Sequence, residues 1–151
     1  MADLEEEDGI EKLLSKLKER EDYWNKTIDV IKGKLMCSVK DVIPVQAEAI
    51  SLRQILTEQI KSMSYEIYKL IPKMHTCRKQ IFEYYAGAKA PYITNASERN
   101  KLVEWDMALH DQRKNVLDEH INFLRETMRN VDNINYSIKN KITILQLTDM
   151  E

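Results

Sequence analysis

The residues best suited to chemistry lie between Lys73 and Lys89, in the run KMHTCRKQIFEYYAGAK. Lys73, Arg78, Lys79 and Lys89 face Glu83 alone there, a local surplus of +3 in a chain whose formal net charge is -2. Phe82, Tyr84 and Tyr85 sit among them, and Tyr92 follows. Cations neutralise phosphates, and aromatic rings stack on splayed bases, so the pattern fits single-stranded nucleic acid. The same residues also fit a solvated helix end whose tyrosines pack inward. Spacing alone leaves both readings open.

Other chemistry finds little support. The chain has no phosphate-binding glycine loop, HExxH, CxxC or nucleophile-elbow pattern, so no enzyme is expected. His75 and Cys77 are two residues apart and point to different faces of a helix. A metal site needs more ligands on a shared face, so neither a metal nor another cofactor is expected. Cys77 reads as a small core residue. Glu104, Asp106, Asp111, Asp118 and Glu119 alternate with Arg99, Lys101, Arg113 and Lys114, the pattern of a salt-bridged solvent face. The charge balance argues against a duplex-DNA binder. Cys37 and Cys77 make no disulfide framework, which suits a reduced, cytoplasmic setting. The start, MADLEEEDG, is acidic, unlike a signal or transit peptide. It reads as a frayed tail or a helix first turn that favours negative charge. No apolar run approaches membrane-spanning length.

The elements that must position these residues are long helices. The 151 residues include only three glycines and three prolines, and 32% are charged. Such a chain has few places to turn. Its apolar residues, 43% of the total, fall in stripes that bury little area in one helix, so self-association is expected. Ile10, Leu13, Leu14, Leu17, Trp24, Ile28 and Ile31 mark a first helix, widened by Tyr23 and closed near Gly33. Residues 34–44 read as a linker with a short strand-like piece, because β-branched residues precede Pro44. A second helix is expected from about Val45 to Tyr85. Its stripe is Leu56, Ile60, Met63, Ile67, Leu70, Met74, Cys77, Ile81 and Tyr84, in alternating steps of four and three. That is the seam of a left-handed coiled coil. Pro72 lies within it; the stripe keeps its phase, so a kinked but continuous helix is favoured over one ending at Ile71. AGAKAPYITNAS is a loop, with Asn95 or Ser97 as the next helix cap. A third helix follows to about Leu147, on a stripe of Leu102, Trp105, Leu109, Val116, Leu117, Ile121, Leu124, Met128, Val131, Ile134, Ile138, Ile142 and Leu145.

QIFEYYAG, then a loop, then SERNKLVEWDMALHDQ and a helix ending in KNKITILQ, resembles the UvsY family of recombination mediators of T-even-like phages. The likeness covers about residues 50–151 and is anchored by Glu83, Tyr84, Tyr85 and Gly87. It implies a ring-like homo-oligomer, of about six or seven subunits, that binds single-stranded DNA. It also implies loading of a RecA-like recombinase onto DNA coated by a single-strand-binding protein. The family's basic residues stand four and two positions before its acidic residue. Lys79 matches the first; Ile81 occupies the second, with Arg78 nearby as a substitute. Residues 1–45 have no counterpart.

The resulting expectation is an all-α protein: a long antiparallel helical hairpin with an added N-terminal helix and coiled-coil-like self-association. Residues 1–33 form the N-terminal helix with its acidic tail, 34–44 the linker, and 45–151 the mediator-like domain. Lys73, Arg78 and Lys79 would neutralise phosphates, with Tyr84, Tyr85 and Lys89 supporting or contacting the strand. Tyr84 continues the apolar seam, which makes Tyr85 the better stacking residue. The competing reading is a structural coiled-coil adaptor or scaffold that acts through protein–protein contacts.

Overall fold

The computed structural model describes residues 2–35 and 42–149. They form three helices: α1 (Ala2–Lys34), α2 (Val42–Ala86) and α3 (Ala96–Thr148). The protein is all-α, and no strand occurs among the described residues. The strand-like piece expected before Pro44 falls mainly on residues 36–41, outside the described residues. Val42 and Ile43, its end, are already helical, with Pro44 in the first turn of α2, where its missing N–H costs nothing. No described helix is long and apolar enough to cross a membrane.

The chain divides into two compact units, each drawing on all three helices. One comprises Met1–Leu14 and Met63–Glu119; the other comprises Ser15–Ser62 and His120–Glu151.

The second unit holds the denser core. Leu17, Trp24, Ile28 and Ile31 of α1 are buried, as are Val42, Val45, Ala49, Leu52 and Leu56 of α2. From α3 come Ile121, Leu124, Val131, Ile134 and Ile138. Steps of three, four and seven keep each set on one helix side. Trp24 is fully enclosed, and its Nε1–H donates to Gln59 Oε1 at 2.9 Å, which satisfies the indole's polar atom. Tyr23, expected to widen the apolar face, is instead 58% exposed, because it sits one position off the buried set. The C-terminus of α1 passes Gly33 by one residue and carries Lys32 and Lys34 where the helix dipole favours cations. Lys141 Nζ donates to the Leu35 carbonyl just beyond it.

The first unit is more thinly packed. All the buried residues of α2 precede Ile60; Met63, Ile67, Leu70, Met74, Cys77 and Ile81 are only half-buried. Burial comes instead from Ile10, Val103, Met107 and Leu117, and from Ala90 and Ile93 in the loop. Two successive turns hold that loop, with Ala90 N–H donating to Gly87 O and Ile93 N–H to Ala90 O. A Cβ on Gly87, just after α2, would stand 3.0 Å from the Glu83 carbonyl oxygen, a tight contact that the backbone could relieve only by giving a few tenths of an ångström. Asn95 caps α3, accepting from the Ser97 N–H at 2.9 Å. Helix α2 continues through Pro72 rather than ending at Ile71. The start of the α3 stripe differs from expectation. Trp105 is 73% exposed and Leu102, Leu109 and Val116 are half-buried, while the buried positions are Val103, Met107 and Leu117.

Candidate nucleic-acid interface

The basic-aromatic run occupies the last turns of α2 and the loop after it, all within the first unit. Lys79 is the most accessible of its paired cations, at 77%, and reaches Glu83 only at 3.9 Å. Arg78 lies 3.7 Å from Asp111 of α3, with both side chains nearly half exposed. Such pairs contribute about 0–1 kcal/mol, so a phosphate can displace either carboxylate. Arg78 and Lys79 border a groove of about 420 Å³ together with His75, Phe82, Asn100, Val103 and Glu104. The guanidinium of Arg99 lies 5.8 Å from the Phe82 ring centroid, a cation–π distance.

Lys73 lies on a different cleft of about 420 Å³, with Lys69 and Arg113 as its other cations. Glu66 is the cleft's carboxylate and bonds Lys69 at 2.8 Å. That bond, with the charges of Lys69, Lys73 and Arg113, holds the Glu66 carboxyl below its ordinary pKa. The same bond raises Lys69 above the ordinary lysine value. Lys73 is exposed, as is Lys89 in the loop, and neither joins a salt bridge among the described residues.

The exposures of the two tyrosines run opposite to those their spacing suggests. Tyr84 is 48% exposed, whereas Tyr85 is half-buried and its hydroxyl donates to Asp106 Oδ2 at 2.6 Å. The rings meet edge to face, with centroids 5.2 Å apart. The carboxylate partner and partial burial push Tyr85 up to about 12. A hydroxyl so committed leaves Tyr85 a positioning residue and makes Tyr84 the more accessible ring.

The six expected residues therefore do not form one patch. Arg78 and Lys79 share a groove, Lys73 joins a separate cleft, Tyr84 and Tyr85 touch each other, and Lys89 stands on the loop. Sequence reasoning missed Tyr65 and Tyr68, exposed by 59% and 72%, because it began at Lys73. It also missed Arg99 as the cation beside Phe82. No three His, Cys, Asp or Glu side chains gather for a metal among the described residues. Cys77 Sγ instead lies 3.5 Å from His110 Nε2. Comparison with protein-family models, curated proteins and solved structures found no match to the chain.

Proposed function

We propose that the protein is a non-enzymatic recombination mediator that binds single-stranded DNA as a homo-oligomer. In this reading it helps load a RecA-like recombinase onto strands held by a single-strand-binding protein, in the cytoplasm. The observation that carries the reading is the groove in which Arg78 and Lys79 stand beside Phe82. Exposed cations next to an exposed ring can hold phosphate and base together. The Glu83–Tyr84–Tyr85–Gly87 resemblance supplies the recombination context. Lys73, Lys89 and Tyr84 extend the contact, and a ring of copies multiplies a modest patch into avidity.

An antiparallel hairpin of α2 and α3 is part of the proposal. Within the first unit, Arg78 pairs with Asp111 while the later Tyr85 pairs with the earlier Asp106. Coiled-coil-like self-association is supported by exposed aliphatic residues of the second unit: Val30, Ile43, Ile50, Ile144 and Leu147. Those same residues favour the second reading, an adaptor that binds other proteins.

Fluorescence anisotropy with labelled oligothymidylate separates the two. The mediator reading expects binding that weakens with salt as counterions are released. Arg78→Ala with Lys79→Ala should weaken binding and flatten the salt slope by about 1.4, for two single-strand phosphates. Absence of binding at low salt sinks the mediator reading and leaves the adaptor.

A further inference from the structure

We propose that a second face of α2 is a base-stacking track for single-stranded DNA, on which Tyr65, Tyr68, His75 and Phe82 take bases. The inference rests on the single-strand-binding reading above and names the residues that would read the bases. Tyr65, Tyr68, Pro72, His75, Lys79 and Phe82 recur at steps of three, four, three, four and three. That spacing keeps them along one side of a helix. None belongs to the apolar seam of Ile67, Leu70, Met74 and Ile81, and all lie within the first unit.

The face is open. Tyr65 is 59%, Tyr68 72% and Phe82 43% exposed, and Pro72, His75 and Lys79 are exposed with them. Two of its rings already hold a cation. Lys69 Nζ lies 4.8 Å from the Tyr65 centroid, and the Arg99 guanidinium lies over Phe82. A ring with a cation on one side leaves the other side for a base and places positive charge where the phosphate follows.

The chemistry selects the occupant. A partner helix asks for Leu, Ile, Val or Met knobs, and this face has none. It offers rings, a proline and a cation. Glu83 pairs with Lys79, and Glu104 borders the groove at Phe82. These carboxylates weaken a purely electrostatic grip, so the strand must be held by stacking as well. Tyr68, His75 and Phe82 stand about 10 Å apart at 1.5 Å per residue, which makes a track along the helix rather than a single pocket.

The test compares labelled oligothymidylate with an abasic oligomer of equal length, which has the phosphates without the bases. Wild-type protein should prefer the thymidylate by about tenfold or more. Tyr68→Ala with Phe82→Ala should lose that preference and keep the abasic affinity. Tyr68→Leu with Phe82→Leu, which preserves bulk and helix, should do the same; circular dichroism confirms folding. Variants that keep the thymidylate preference overturn the track. If they keep it while Arg78→Ala with Lys79→Ala abolishes binding, only the track falls and the single-strand reading stands. A wild-type protein that binds neither oligomer overturns both. A fall in solution mass on Tyr68→Ala with unchanged DNA binding would make the face a contact between copies and overturn the track.

Discussion

The Tyr85 hydroxyl donates to Asp106 Oδ2 at 2.6 Å, tying the last turns of α2 to α3 within the first unit. The carboxylate raises the phenol from 10.0 to about 12. The protonated form is favoured in the folded state, so this contribution is complete below pH 10. It is lost as pH rises from there through about 12, because the unfolded chain then binds fewer protons than the native one. Ultraviolet titration should show one tyrosine ionising near pH 12, and Tyr85→Phe should remove that step. The same substitution should cost about 1 kcal/mol in urea unfolding at neutral pH.

Trp24 marks where the second unit is least tolerant. It has no exposed surface, and its indole N–H is bonded to Gln59. Trp24→Ala should cost about 3–5 kcal/mol through the lost transfer energy and the cavity left behind. That is a large share of the roughly 5–15 kcal/mol that holds a domain folded. By contrast, Met74→Ala removes a half-buried side chain and should cost well under half as much. Chemical denaturation of the two variants, followed by circular dichroism, measures the difference.

These contrasts show what the sequence could and could not disclose. The three helices were legible because apolar steps of three and four are strong over many turns, and the Asn95 cap was legible from its residue type. The early α3 stripe was not. Its buried residues are Val103, Met107 and Leu117, whereas Leu102 and Leu109 are half-buried and Trp105 is exposed, so the spacing of the large apolar residues did not mark the buried side. The partial burial of Tyr85 and the exposure of Tyr84 were not legible, because periodicity cannot see Asp106 arriving from another helix. The basic run at Arg78 and Lys79 was legible as charge. Its groove was not, because Asn100, Val103 and Glu104 supply the far wall. Tyr65 and Tyr68 were hidden by their distance in sequence from the charged run.

His120 is the buried polar residue of the second unit whose exchange should be most informative. It is 1% exposed; its Nδ1–H donates to Glu21 Oε1 at 3.0 Å, and its Nε2 has no hydrogen-bond partner. A buried polar atom left unsatisfied costs about 1–3 kcal/mol. His120→Leu removes that cost along with the bond to Glu21, which is one-third exposed and can turn to water. His120→Leu should therefore stay within about 1 kcal/mol of wild type, while His120→Ala should lose about 2 kcal/mol to the cavity. Urea midpoints decide it; equal losses in both variants would mean that the Glu21 bond, not packing, holds this position.

The exposed apolar residues differ between the units. In the first they are mainly rings: Tyr65, Tyr68, Phe82, Tyr84, Tyr92 and Trp105, beside Leu14 and Ile71. In the second they are mainly aliphatic: Val30, Ile43, Ile50, Ile55, Ile144 and Leu147, beside Tyr23 and Tyr136. Aliphatic side chains gain from leaving water but cannot stack on bases, so in the proposed homo-oligomer they are the residues assigned to contacts between copies. Ile43 and Ile50 are seven residues apart on α2, on one side of the helix, and are 72% and 57% exposed. Ile43→Asp with Ile50→Asp should leave the monomer folded, because neither side chain contributes to the core. In the proposed oligomer, sedimentation velocity should then show a lower mass for the variant than for the wild type at the same concentration. Affinity for oligothymidylate should fall by more than tenfold through lost avidity, with little change in what one protomer contributes. An unchanged mass would rule this face out as a contact between copies.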